Sequence, residues 1–217
     1  SVAQRGTSTS GITNASGDVF VIDRFCWSES GGMTSQFTMS QDTDVPSGYG
    51  FAKSLKLDCT TTDTPATDER IRIETRLEGQ NLQLLKKGTA NAESWTLSFW
   101  VKSVKTGTYI VNFRDEDNTR IVSKAYTISQ ASTWEKKIIN VAPDTTDPFD
   151  NDNAHSLTIA WILSAGSSLQ SGSLADTWQD YANANYAAGQ VNFADSTSNN
   201  FYLTGVQLEV GTYTSST

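Results

Sequence analysis

Alternation of apolar and polar positions runs through most of this chain and is sharpest at its centre. Trp95, Leu97, Phe99 and Val101 alternate with Thr96, Ser98, Trp100 and Lys102, the period-2 pattern of a strand with one buried face. A Lys-Thr-Gly turn at 105–107 follows, and Tyr109, Val111 and Phe113 resume the pattern, so 93–114 reads as an antiparallel hairpin. Upstream, Leu55, Leu57 and Cys59 oppose Lys56 and Asp58, while Ile71, Ile73, Thr75 and Leu77 oppose Arg70, Arg72, Glu74 and Arg76. Further strands are expected over 18–27, 33–39, 120–128, 134–141, 157–163 and 201–210, with a single helical turn at 81–85. Short strands at regular spacing with almost no helical periodicity predict an all-β chain. The simplest arrangement is an antiparallel two-sheet β-sandwich of the jelly-roll type.

The rhythm fails at the ends and in one internal stretch. Residues 1–17 are small and polar and read as a flexible arm or linker. Residues 212–217 read as a tail, which leaves a single domain over 18–211. From 164 to 200 there is no clean alternation, yet Trp178, Tyr181, Tyr186 and Phe193 lie among small polar residues. A loop of this length inside a compact domain is functional or packs itself as a lid.

Composition narrows the partners. The 217 residues carry a formal net charge of −8, with 16 basic residues scattered along the chain, whereas nucleic-acid binding needs clustered Lys and Arg. No apolar stretch approaches the ~18 residues of a membrane span, so neither nucleic acid nor membrane insertion is expected. Cys26 and Cys59 permit one bridge or two buried thiols, and no Cys/His spacing suits zinc.

Several segments carry a resemblance. Trp95–Lys102 with Thr106–Tyr109, and Ser54–Leu57 upstream, resemble carbohydrate-binding-module jelly rolls. Ser198–Gly211, Asp42–Gly48 and Thr133–Lys137 are similar to segments of bacteriophage tail-fibre and other virion-protein domains. The resemblance implies a sandwich fold and a viral setting, on the virion tail or capsid surface, and does not by itself name a ligand. A host-surface polysaccharide or glycan is the expected partner, with a homo-oligomer, a trimer by fibre geometry, in the full assembly. Related sugar-binding modules often hold a structural calcium through an acidic residue of the last strand. Thr204-Gly205 stand at that place here, which counts against the site.

Catalytic chemistry finds little support. His155 is the only histidine and reads as a turn residue rather than a member of a triad. Glycoside hydrolysis needs two carboxylates, one with a raised pKa, but Glu74 lies between Arg72 and Arg76, which would hold it ionised. Asp115, Glu116 and Asp117 read as a solvated hairpin tip. Asp144, Asp147, Asp150 and Asp152 are dense enough in oxygen to suit calcium. They match no EF-hand spacing, so a solvated acidic loop is the simpler reading, and no metal or cofactor is expected. Trp27, Trp95, Phe99 and Trp161 read as core, and Trp134 suits either side.

Sugar recognition relies on rings that stack on pyranose faces and planar polar groups that meet hydroxyls. Trp100 falls on the outward side of its strand, either on an open face or under the 164–200 loop. Trp178, Tyr181 and Tyr186 come from that loop. The expectation is therefore a non-catalytic glycan-binding domain with Trp100, Trp178, Tyr181, Tyr186 and Arg114 as contacts. The alternative is a structural virion domain, for decoration or fibre joining, that binds protein and no glycan.

Overall fold

A computed structural model describes residues 6–214, which form thirteen strands and six short 3-10 turns with no α-helix among them. In chain order the strands begin with β1 (Ser8–Ile12), β2 (Val19–Ile22), β3 (Phe25–Ser30), β4 (Gln36–Asp42) and β5 (Ser54–Thr61). Next come β6 (Arg70–Glu78), β7 (Trp95–Ser103), β8 (Gly107–Asp115), β9 (Arg120–Ile128) and β10 (Glu135–Val141). The last three are β11 (His155–Ala165), β12 (Gln179–Asp180) and β13 (Asn200–Val210). No described helix is long and apolar enough to cross a membrane.

Two antiparallel sheets result. One has six strands in the order β1-β4-β5-β13-β7-β10, the other seven in the order β12-β9-β8-β11-β6-β3-β2. The chain is thus an all-β jelly-roll sandwich, as its alternation predicts. The inward residues of β7, Trp95, Leu97, Phe99 and Val101, are all buried. Phe99 meets Trp161 of β11 and Tyr126 of β9 edge-on, at ring-centroid distances of 5.6 and 5.2 Å. Each such side chain contributes about 1.5–3 kcal/mol on leaving water, so this seam between the sheets holds the domain together.

Three features differ from the sequence expectation or resolve it. The predicted arm over 1–17 is in part a strand: Ser8–Ile12 pairs with β4. Only Ile12 of β1 is buried, and an edge strand with one apolar residue has no alternation to read. Residues 1–5 of the arm and 215–217 of the tail lie outside the described residues. Cys26 and Cys59 are free and buried, and they belong to different sheets. The 164–200 segment is neither bare nor loose. Its Leu169, Ala175, Tyr186 and Ala187 pack on Ile110, Ile121, Ala160 and Ile162 as a second small core. That core covers part of the outer face of the seven-stranded sheet, which explains why β11 is buried on both faces.

Candidate functional site

The uncovered part of that outer face is a groove, and strand register builds it. β11 lies between β8 and β6. Its outward residues there are small: Thr158 stands opposite Arg114 and Arg76, and Ala160 opposite Asn112 and Glu74. Small residues on the middle strand and long ones on both neighbours leave a trough of about 270 Å³. Arg72 and Arg76 form one wall, and Asn112 and Arg114 the other. His155 and Glu116 close one end, where the His155 Nε2 lies 2.8 Å from the Thr158 Oγ1. The Thr158 hydroxyl donates to the Glu116 carboxylate at 2.7 Å. Tyr186, delivered by the 164–200 segment, closes the other end.

The charges of the groove are ordered. Glu74 accepts from the Arg72 Nε at 2.5 Å and from the Arg76 Nε at 2.8 Å, and Arg76 also reaches Asp18 at 2.5 Å. Burial alone would raise the Glu74 pKa, but the Arg72 and Arg76 guanidiniums outweigh it and hold the carboxyl below its ordinary value. Burial lowers His155 against the opposing pull of Glu116, so the imidazole is neutral at neutral pH. The Cys26 thiol, 3.8 Å from Glu74, is pushed up to about 12 by burial and by that carboxylate, which leaves it protonated and unreactive.

A pH prediction follows from Glu74. Its folded pKa lies below the ordinary 4.5, so the unfolded chain binds more protons in acid. The stability it contributes is complete above that value and is lost as pH falls through the lower folded pKa. The thermal midpoint, followed by circular dichroism, should be level near neutrality and fall below about pH 4.5. Glu74→Gln should start lower and show a shallower acid limb; an unchanged limb would separate Glu74 from acid unfolding.

The expected contact residues fall in three places. Tyr181, Tyr186 and Arg114 do come together. The Arg114 guanidinium lies 4.9 Å from the Tyr181 ring centre, and the two tyrosine rings meet at 6.0 Å. Trp178 is elsewhere, at the sandwich edge. It packs 6.0 Å from Trp95, and its Nε1 donates to the Ala142 carbonyl at 3.1 Å. Trp178→Ala should therefore cost about 2–3 kcal/mol of stability, somewhat less than a fully buried ring, and leave any ligand affinity of the groove unchanged once folded. Urea titration beside a binding assay separates the two effects.

Trp100 lies on the other sheet, half-buried. The 43–53 loop covers it rather than the 164–200 segment, with the Tyr49 ring at 4.5 Å. Phe51 also packs there, over Gly205, whose φ of +61° marks the bulge in β13 and whose missing Cβ leaves the ring its room. Near Trp100 on this face, Trp134 and Tyr202 meet at 6.0 Å with the Lys102 ammonium over both rings. Lys102 and Trp134 are both held by Asp44. These rings and charges already satisfy one another.

Of the four aspartates considered for calcium, Asp144 is an internal counter-ion. It pairs with Arg120 at 2.9 Å and with Lys87 at 3.3 Å. The Lys87 ammonium also pairs with Asp115 at 2.6 Å and donates to the Thr146 and Asp147 carbonyls at 3.0 and 2.5 Å. A lysine thus stands among the oxygens that a cation would use. Asp152 accepts from the Ala154 amide, and among the described residues these four aspartates form no group of three converging metal ligands; Asp18, Cys26 and Glu74 do converge, but two arginines already occupy Glu74. Asp115, expected in a solvated tip, is fully buried.

A larger cleft of about 510 Å³ lies between 50–53 and β13. Ile22, Phe25, Leu55, Leu203 and Val206 line it, and Lys53 is its one charged side chain, so it offers little to a polar ligand.

No family model and no curated protein sequence matches the chain. Among solved structures, it is similar to the enzymatically active domain of bacteriophage CBA120 tailspike protein 4, at 14% identity and a TM-score of 0.44. That match covers 87% of this chain and spans 19% of the tailspike chain. It is also similar to the family 11 carbohydrate-binding module from Clostridium thermocellum in complex with a mixed-linked tetrasaccharide. There the identity is 11%, the TM-score 0.45, and the coverage 96% of this chain and 98% of that one. A third similarity is to the family 22 tandem carbohydrate-binding domain of Paenibacillus barcinonensis, at 14% identity and a TM-score of 0.42, covering 93% of this chain and 49% of that one.

Proposed function

We propose that this domain is a non-catalytic glycan-binding sandwich and that the groove across β8, β11 and β6 is its saccharide site. One observation carries the reading: Asn112, only 1% exposed, lines the groove, and neither its amide nitrogen nor its oxygen has a hydrogen-bond partner. A buried polar atom without a partner costs about 1–3 kcal/mol, and folded proteins rarely carry two on one side chain. Turned slightly toward the groove, this amide would find in a saccharide what it lacks, since each hydroxyl both donates and accepts and an amide does both at once. The small floor of Thr158 and Ala160 leaves room for a sugar ring.

Hydrolysis does not suit the same groove. Glu74 is held ionised by two arginines, and Glu116 pairs with Arg114 at 3.2 Å. A general acid for glycoside cleavage needs the opposite, a carboxyl kept protonated. On a phage tail fibre or virion surface, the setting that the sequence resemblance implies, such a domain serves reversible attachment to host-surface polysaccharide. Single-site affinity is about millimolar to micromolar, multiplied by the copies on the particle.

The test is a glycan array and a pull-down on host surface polysaccharide, with reducing ends assayed in parallel. Retention without release of reducing ends is expected. Retention of no glycan would replace this reading with a structural virion domain, and release of reducing ends would make the domain an enzyme.

A further inference from the structure

Given that the groove is the saccharide site, we infer that the saccharide it takes is anionic, with an oxyanion held between Arg70 and Arg114. The tyrosine end of the groove points this way. A neutral sugar is best met by bare aromatic faces, and none is offered here: Tyr186 is 5% exposed. Its ring carries the Arg70 guanidinium at 5.0 Å, and the Tyr181 ring carries that of Arg114 at 4.9 Å. The rings orient the arginines. Stacking of this kind holds a guanidinium by its face and leaves its donor edge free to bind.

Those donors are only partly engaged, Arg70 by the Tyr181 hydroxyl and Arg114 by Glu116. Arg72 and Arg76 are taken up by Glu74 and Asp18, whereas no described carboxylate pairs with Arg70. Arg114 has only the Glu116 contact at the groove's end. The Arg70 Nε is buried without a hydrogen-bond partner, and the Arg114 Nε, also buried, faces the Glu116 carboxylate at 3.2 Å without hydrogen-bond geometry. The terminal guanidinium nitrogens of the two arginines are the donors that a carboxylate, sulfate or phosphate on a sugar would engage with charge-assisted bonds.

The overall charge sharpens the case. Four guanidiniums line this groove in a protein whose formal net charge is −8. The net negative charge would repel a polyanion, so any retention of one reports a local site.

The experiment measures binding of the full chain to matched pairs by isothermal titration. The first pair is polygalacturonate and its carboxyl-reduced neutral form; the second is dextran sulfate and dextran. Binding to at least one acidic member should be tenfold or more tighter than to its neutral partner, and should weaken as salt rises. Arg70→Gln and Arg114→Gln should each remove most of that difference, and Arg70→Lys should not restore it, because an ammonium lacks the fork. Preference for the carboxylated or the sulfated polymer assigns the oxyanion. Equal binding of acidic and neutral members, untouched by Arg70→Gln, would overturn the inference and leave the glycan-binding reading standing. Binding of none of the four polymers, with neutral glycans retained on the array, would overturn it too, while no glycan retained anywhere removes both.

Discussion

Asn112→Leu should make the domain more stable and weaken its hold on its ligand. Asn112 lies in β8 between Ser123 of β9 and Ala160 of β11, and its two amide atoms are buried without partners. Leucine branches at the same carbon and carries no group that needs a hydrogen bond. The substitution exchanges two uncompensated polar atoms for apolar surface beside Ala160, with the groove as spare volume for the larger side chain. Relief of such atoms is worth about 1–3 kcal/mol, which in a domain of this size raises the thermal midpoint by roughly 2–4 °C per kcal/mol. Glycan binding should fall by about tenfold or more, the loss of one well-made polar contact whose partner is then buried unpaired. Ordinary structural asparagines behave oppositely, because their removal lowers stability. A calorimetric scan and a binding titration on the same sample decide between the two. A less stable Asn112→Leu with intact binding would assign Asn112 to the fold and remove the main support for the groove.

That opposition between stability and binding also shows what a single sequence can convey. The alternation of β6, β7 and β8 reports which side chains face inward, because a strand's period of two is a local property. It therefore placed Arg70 and Arg72 outside the core without showing that they share a groove with Arg114 and with Asn112, which the sequence did not single out. The groove depends on β11 lying between β8 and β6, so that Ala160 sits level with both Asn112 and Glu74. Those residues come from positions 74, 112 and 160, and no local pattern links them. Tyr181 and Tyr186 were legible as loop aromatics and Arg114 as a strand residue, but not that the three meet at one end of the groove. Nor was it legible whether a ring is bare or holds an arginine, because both have the same letter. Trp100 and Trp178 mislead for a related reason: their partners, Tyr49 and Trp95, lie on segments distant in sequence. In the acidic run after Pro143, Asp147, Asp150 and Asp152 are exposed as read, but Asp144 is buried, and its counter-ions, Lys87 and Arg120, come from elsewhere in the chain.

Those counter-ions set the second large effect. Lys87→Met should cost about 3–5 kcal/mol, the range for breaking a buried charge pair from one side. The ammonium holds Asp115 and Asp144, which are 0% and 6% exposed, with two backbone carbonyls completing its shell. Phe149 and Trp178 cover it at 5.1 and 5.4 Å. Methionine keeps the length and packs against the rings, so the loss would measure two buried carboxylates deprived of a cation rather than a cavity. Arg120 still serves Asp144, which leaves Asp115 as the more damaged partner. Lys87→Met with Asp115→Asn should therefore recover part of the loss, since an amide needs no counter-charge. The adjacent Lys86 provides the internal control. It too forms an ion pair, with Glu93 at 2.7 Å, but the two side chains are 51% and 40% exposed, and pairs of that kind are worth about 1 kcal/mol or less. Urea denaturation of Lys86→Met and Lys87→Met side by side should separate them by several kcal/mol. Equal losses would mean that burial does not govern these pairs, and that the Lys87 cluster is solvated after all.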